Sequence, residues 1–210
     1  MGSRYYCVER RLWQTPAEWL EGRANLQAMD EQKPESDLSF RLMALALRLR
    51  EWLVDTEKAL KEVGLQRGQT VLDYGCGVGS YALPAAQLVG QEGTVHALDI
   101  HPLATQTVEG RARKQGLTNV HTIRSALDTG LADEMVDVVL LYDVVHAVNN
   151  KQGLLRELGR VLKPGGILSV KPDHIGSDRL IEIAAEAGLE LVRSHGGKVW
   201  DFEKPAAEEG

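Results

Sequence analysis

The apolar positions of this chain change their period once. Leu38, Leu42, Leu45, Leu49 and Trp52 recur at steps of four and three, the spacing of one face of a helix. This predicts an amphipathic helix from about Leu38 to Val63, with Gly64 as its C-cap. Arg41, Arg48, Arg50, Lys58 and Lys61 fall largely off that face. A basic amphipathic helix can lie on an anionic membrane or bind a partner; packing on a domain with the charges solvated is the simpler reading.

From Leu65 onward, short apolar runs alternate with helix-like stretches. Strands are predicted at Thr70–Tyr74, Thr94–Asp99, Val120–Arg124, Val136–Tyr142 and Gly166–Lys171, with weaker ones at Leu189–Ser194 and Lys198–Phe202. Helices are predicted at Ser80–Val89, Pro102–Gln115, Lys151–Val161 and Asp178–Ala187. Such alternation implies an α/β fold, a parallel sheet with helices on both faces. The Gly196-Gly197 pair between the last two runs suggests an antiparallel hairpin closing it.

Residues 1–37 are irregular and polar, ending in the charged run from Asp30 to Asp37. They nevertheless hold Tyr5, Tyr6, Trp13 and Trp19, four of the eleven aromatic residues. A solvated tail lacks such residues, so part of the segment is expected to dock as a lid. Thr15-Pro16-Ala17-Glu18 has the composition of a helix start. The domain proper then runs over 38–210, with its core at 65–205.

A chain of 210 residues is about one domain. Its 24 Lys+Arg against 30 Asp+Glu argue against nucleic acid as a partner. Cys7 and Cys76 are far apart and form neither a disulfide framework nor a metal spacing; Cys76 reads as a small packed thiol. No apolar run has membrane-spanning length and no secretory signal is evident. A soluble cytoplasmic protein, monomeric or homodimeric, is expected.

The chemistry concentrates at Val71-Leu72-Asp73-Tyr74-Gly75-Cys76-Gly77-Val78-Gly79-Ser80, a strand that ends in an acid and breaks into alternating glycines. Such glycines let backbone approach a ligand where a Cβ would clash. A dinucleotide fingerprint needs G-x-G-x-x-G. Here the third glycine is one place early, and Asp73 would repel a pyrophosphate. A second strand ends in Asp99, placed to accept both hydroxyl protons of a ribose.

The D-x-G-x-G pattern resembles motif I of the class I S-adenosylmethionine-dependent methyltransferases. Leu155-Arg156-Glu157-Leu158-Gly159-Arg160-Val161-Leu162-Lys163-Pro164-Gly165-Gly166 resembles the helix–turn–strand of the branch containing the quinone-biosynthesis enzymes. Lys163 is expected to act on the dipole of the preceding helix, and Pro164 with the glycine pair to turn the chain into the next strand. The resemblance covers about Leu65 to Pro205. It implies a Rossmann-like, doubly wound sheet of seven strands with the last antiparallel, and S-adenosylmethionine as cofactor. The cofactor-binding residues it implies are Asp73, Tyr74, Gly75, Gly77, Asp99, Ile100, Ser125, Ala126 and Tyr142. In the family an acid after the third strand takes the adenine amino group; Ser125 stands there instead, and Asp128 is a substitute.

The same resemblance places Asp143 and His146, after the fourth strand, beside the methionine portion and the acceptor. His146 is a candidate general base and Asp143 a candidate contact, with His174, His195 and Lys171 as further acceptor-side candidates. The Asn/Asp-Pro-Pro-aromatic motif of base and amide N-methyltransferases is missing, which favours a small-molecule acceptor methylated at O or C. The rival readings are a non-catalytic S-adenosylmethionine-binding assembly module and a nicotinamide- or flavin-dependent oxidoreductase.

Overall fold

In the computed structural model, the residues described are 34, 36–50, 56–172 and 176–206. The expectations for residues 1–33, for Trp52 and for His174 fall outside them. Helices α1 (Asp37–Arg50) and α2 (Thr56–Val63) precede β1 (Thr70–Tyr74), α3 (Ala82–Val89), β2 (Thr94–Asp99), α4 (Pro102–Lys114), β3 (Val120–Arg124) and β4 (Val136–Leu141). A 3-10 turn at Val145–Ala147 leads to α5 (Lys151–Val161), β5 (Leu162–Val170), α6 (Ser177–Glu186), β6 (Glu190–His195) and β7 (Val199–Glu203). Gly64, at φ +85°, closes α2 as expected, with its N–H on the Lys61 carbonyl.

The seven strands form one sheet in the order β3-β2-β1-β4-β5-β7-β6. Strands β1 to β5 pair in parallel, and β7 inserts antiparallel between β5 and β6. The chain order reverses between β1 and β4, and in open α/β sheets ligands bind at the carboxyl ends beside such a switch. The hairpin turn has both Gly196 and Gly197 at positive φ, as a primed turn requires.

Both faces of the central strands are covered, so they read as continuous apolar runs rather than alternating ones. On one face Leu72, Leu98, Val139, Leu168 and Phe202 pack against Leu154, Leu155 and Leu158 of α5 and Ile183 of α6. On the other, Val71, Val95, Val138 and Leu140 meet Leu60 of α2, Leu83 and Ala86 of α3 and Val108 of α4.

Two expectations are corrected here. The stripe on α1 is not its docking face: Leu38, Leu42 and Leu45 are 69%, 62% and 59% exposed, and Phe40 is buried instead. Ser36 sets the phase of the helix by capping it, its Oγ accepting from the Ser39 N–H at 3.2 Å. Phe40 then lands on His101, stacked at 4.3 Å, in a cluster with Val78 and Ala104.

The second correction concerns Lys163-Pro164-Gly165-Gly166, which does not precede β5 but lies inside it. Val136 pairs Leu162 and Val138 pairs Ile167, so Asp137 alone opposes the four residues 163–166, a wide bulge. Asp137 fills the gap: its Oδ2 accepts from the Thr70 N–H at 2.8 Å and its Oδ1 from Lys163 Nζ at 2.7 Å. Lys163 therefore pairs with a carboxylate rather than serving the α5 dipole. Asp137→Ala is expected to cost about 1–3 kcal/mol, because it strands the Thr70 N–H. Lys163→Ala, on a half-exposed ion pair, should cost no more than about 1 kcal/mol. Urea unfolding of the two variants checks the order.

Candidate active site

Asp73 is the penultimate residue of β1, held between β2 and β4, and its side chain is 2% exposed. The chain then turns sharply over the tip of β2. The N–H groups of Gly75 and Cys76 both donate to the Leu98 carbonyl, at 2.8 and 2.9 Å. Gly75, Gly77 and Gly79 sit at φ +80°, +50° and +84°, a region costly for residues with a Cβ. At Gly75 the space is also taken: a Cβ there would lie 2.7 Å from Val144 Cγ2. The glycine loop and the segment after β4 thus interlock backbone against side chain. Cys76 is a buried thiol, its pKa pushed well up by burial.

Asp73 has a backbone N–H partner in Ala82, at the start of α3. Its other oxygen, Oδ2, is buried with no hydrogen-bond partner among the described residues. Burial first, and the nearby Asp99 and Asp143 carboxylates next, push its pKa up to about 7. A buried carboxylate with an open acceptor, repelled by two other acids, is built to receive a cation that brings its own N–H donors.

Asp99 ends β2 and is fixed by two backbone donors, Gly77 N–H to Oδ2 at 2.9 Å and His101 N–H to Oδ1 at 2.8 Å. Burial raises its pKa while these bonds oppose the rise. The Ile100 N–H is a further backbone partner; a carboxylate has about four acceptor sites, so it can still accept from a ligand hydroxyl. Ile100, Ser125 and Ala126 are half-buried beside it, and the Ser125 N–H donates to the Asp99 carbonyl at 3.2 Å. Asp128, named as a substitute acid, is exposed and spent on its own turn, accepting from the Gly130 N–H at 2.8 Å. Ser125 and the backbone around it lie closer to Asp99 along the chain and in contact, the Ser125 N–H being bonded to the Asp99 carbonyl.

Tyr74 and Tyr142 hold the site from beneath. The Tyr74 hydroxyl donates to the Ala126 carbonyl at 2.5 Å, tying β1 to the loop after β3. Tyr142, 3% exposed, bonds Ser169 Oγ at 2.7 Å, and Ser169 donates to Asp201 Oδ1 at 2.7 Å. Desolvation raises both phenol pKa values far above the ordinary range. Both side chains are buried, and the Tyr142 ring packs edge to face on Tyr81 at 4.8 Å.

Beyond Tyr142 the chain enters Asp143, at φ +59°, a strained conformation for an aspartate. Its carboxylate lies 3.7 Å from Lys171 Nζ, which follows β5. His146 is exposed on the 3-10 turn. His195, at the end of β6, bonds the buried Asp201 at 2.7 Å. The structure thus brings Asp73, Asp99 and Asp143 to one edge with Lys171. Two positions unmarked by the sequence also join it. Tyr81, just after the glycine loop, accepts from Lys171 Nζ, and Phe40 closes over Val78 of the loop. A cavity of 330 Å³ beside Phe40, Ala44 and Leu103 includes none of these acids.

A family model described as "Methyltransferase domain" matches residues 65–189. The chain belongs to this methyltransferase family. The demethylmenaquinone methyltransferase of Geobacillus kaustophilus is 30% identical over 126 residues, 60% of this chain and 54% of that protein. The enzyme of the same name from Listeria welshimeri is 28% identical, over 68% of this chain and 59% of its own length. The chain therefore spans somewhat more than half the length of these relatives. A solved SAM dependent methyltransferase from Aquifex aeolicus superposes with a TM-score of 0.63 at 26% identity, over 85% of this chain and 95% of that one. In this fold the glycine loop, Asp73 and Asp99 lie at the carboxyl edge of the sheet, beside the switch between β1 and β4. Gly75→Ala combines a disfavoured φ with the Val144 clash. It should destabilise the protein by more than about 2 kcal/mol, read as a lowered denaturation midpoint.

Proposed function

We propose that this protein transfers a methyl group from S-adenosylmethionine to oxygen or carbon of a small molecule. The unpartnered Asp73 Oδ2, buried beside the glycine loop among two further acids, carries this reading. Its chemistry matches the ammonium of the methionine portion. Asp99, steered by Gly77 and His101, would hold the ribose hydroxyls, with Ile100, Ser125 and Ala126 at the adenine. When bound, S-adenosylmethionine supplies an electrophilic methyl carbon and a neutral thioether leaving group.

The protein's own task is then to align the acceptor with that carbon and keep water out. Asp143 and Lys171, ion-paired across the ends of β4 and β5, form the acceptor side, with His146 at its rim. The demethylmenaquinone methyltransferases named above make a quinone of that kind the first acceptor to try. The acid pair disfavours a pyrophosphate, and with it a nicotinamide cofactor.

Titration calorimetry with S-adenosylmethionine and with NADH tests the cofactor; binding of NADH alone would overturn the reading. Asp73→Asn should weaken S-adenosylmethionine by about 10–100-fold, the worth of a hydrogen bond between charged groups. The pH dependence has a definite sign. The ligand-free carboxyl titrates at about 7, and only its charged form receives the ammonium. Affinity should therefore level off above pH 7 and fall by up to about tenfold per unit below it, with proton release on binding. Buffers of different ionisation heat, compared at pH 6.5, would show that release, and Asp73→Asn should abolish it. Incubating extract fractions with methyl-labelled S-adenosylmethionine and identifying the labelled product would name the acceptor.

A further inference from the structure

We propose that Tyr81 is the group that takes the proton from the methyl acceptor, acting as a phenolate stabilised by Lys171; the proposal rests on the methyltransferase reading above. Tyr81 directly follows the glycine loop and precedes Ala82, whose N–H bonds Asp73. Its backbone is thereby held next to the residue that bonds Asp73. Lys171 Nζ donates to the Tyr81 oxygen, lies 4.7 Å from the centroid of that ring and 5.1 Å from that of Tyr142, and sits 3.7 Å from Asp143. The two rings meet edge to face at 4.8 Å. An ammonium so enclosed, 16% exposed, is poorly screened and favours negative charge on the oxygen it touches.

Tyr142 is the control built into the fold. Its hydroxyl is committed to Ser169 and, through it, to the buried Asp201. It has no cation at its oxygen, and burial and nearby acids keep it neutral. Among the described residues, the groups around Tyr81 include Lys171 from the end of β5 and Tyr142 from the end of β4, with Asp143 beside Lys171. A nearby acid opposes ionisation of Tyr81; Lys171, whose Nζ donates to its oxygen, promotes it. His146 is exposed, whereas Tyr81 is 8% exposed, and a base screened from water suits a site that must exclude it.

The step balances without an oxidant or reductant. The acceptor's O–H or activated C–H proton passes to the Tyr81 oxygen. The electron pair left behind forms the bond to the methyl carbon, and the carbon–sulfur bond breaks with its pair going to sulfur. Tyr81 then returns its proton to solvent. Lys171 acts through Tyr81 and is a positioning residue.

Phenolate absorbance at 295 nm, followed against pH on the full chain, reads Tyr81 without any acceptor. One tyrosine should ionise below the ordinary phenol value of about 10. That component should vanish in Tyr81→Phe, move up by at least one pH unit in Lys171→Met, and stay in Lys171→Arg and His146→Ala. Circular dichroism confirms that each variant is folded. With the extract fraction labelled in the acceptor screen, Tyr81→Phe should lower methyl incorporation by about 100-fold or more and leave S-adenosylmethionine affinity within twofold. No early-ionising tyrosine, or full incorporation by Tyr81→Phe, would overturn the base role while calorimetry still upheld cofactor binding. The phenolate component without S-adenosylmethionine binding would overturn the methyltransferase reading and the base role with it.

Discussion

A carboxylate taken out of water with one oxygen unmatched is the constraint around which this structure is arranged. Desolvating such a group is expensive, and Asp73 recovers only part of the cost, from the Ala82 N–H. The remainder is borne by the apolar faces of the sheet. Val71 and Leu72 are fully buried on opposite faces of β1, and β2 and β4 clamp the strand in parallel register on both edges. The fold keeps an unsatisfied acceptor at its centre because the surrounding packing over-determines where β1 ends.

Everything at the carboxyl edge follows from that placement. After Asp73 the glycine loop turns back over Leu98 and hands one N–H to Asp99. Val144 fills the space beside Gly75 and carries Asp143 toward the same edge. The two sides of the site therefore differ in kind. One is a set of acids with acceptors to spare, suited to a cationic donor molecule. The other, at Tyr81, Tyr142 and Lys171, is a cation held between phenol rings, suited to handling a proton. The polar chain Tyr142–Ser169–Asp201–His195 crosses four strands behind it and fixes the Tyr142 ring against which Lys171 rests.

Much of the fold was legible because strand and helix periods are local properties. Strands β1, β2, β3 and helix α5 fall where the apolar runs and their punctuation put them, and the glycine hairpin forms between β6 and β7. Asp73, the glycines and Asp99 were readable because an acid at a strand tip before a glycine loop has few structural uses. The failures were also local in origin. The α1 stripe was read from leucine spacing, yet the face that docks is decided by what it meets, His101, Val78 and Ala104. The Pro-Gly-Gly run reads as a turn, but the partner strand holds it as a bulge through Asp137.

The sequence by itself determined the alternating architecture and the acids at the ends of β1 and β2, since these depend on periodicity and on residue types at strand ends. Only the tertiary structure decided which acceptor atom of Asp73 stays open, and which of two phenols meets a lysine ninety residues away. Burial and contact between strands distant in sequence have no local signature, and they set the charge state of every group in the site.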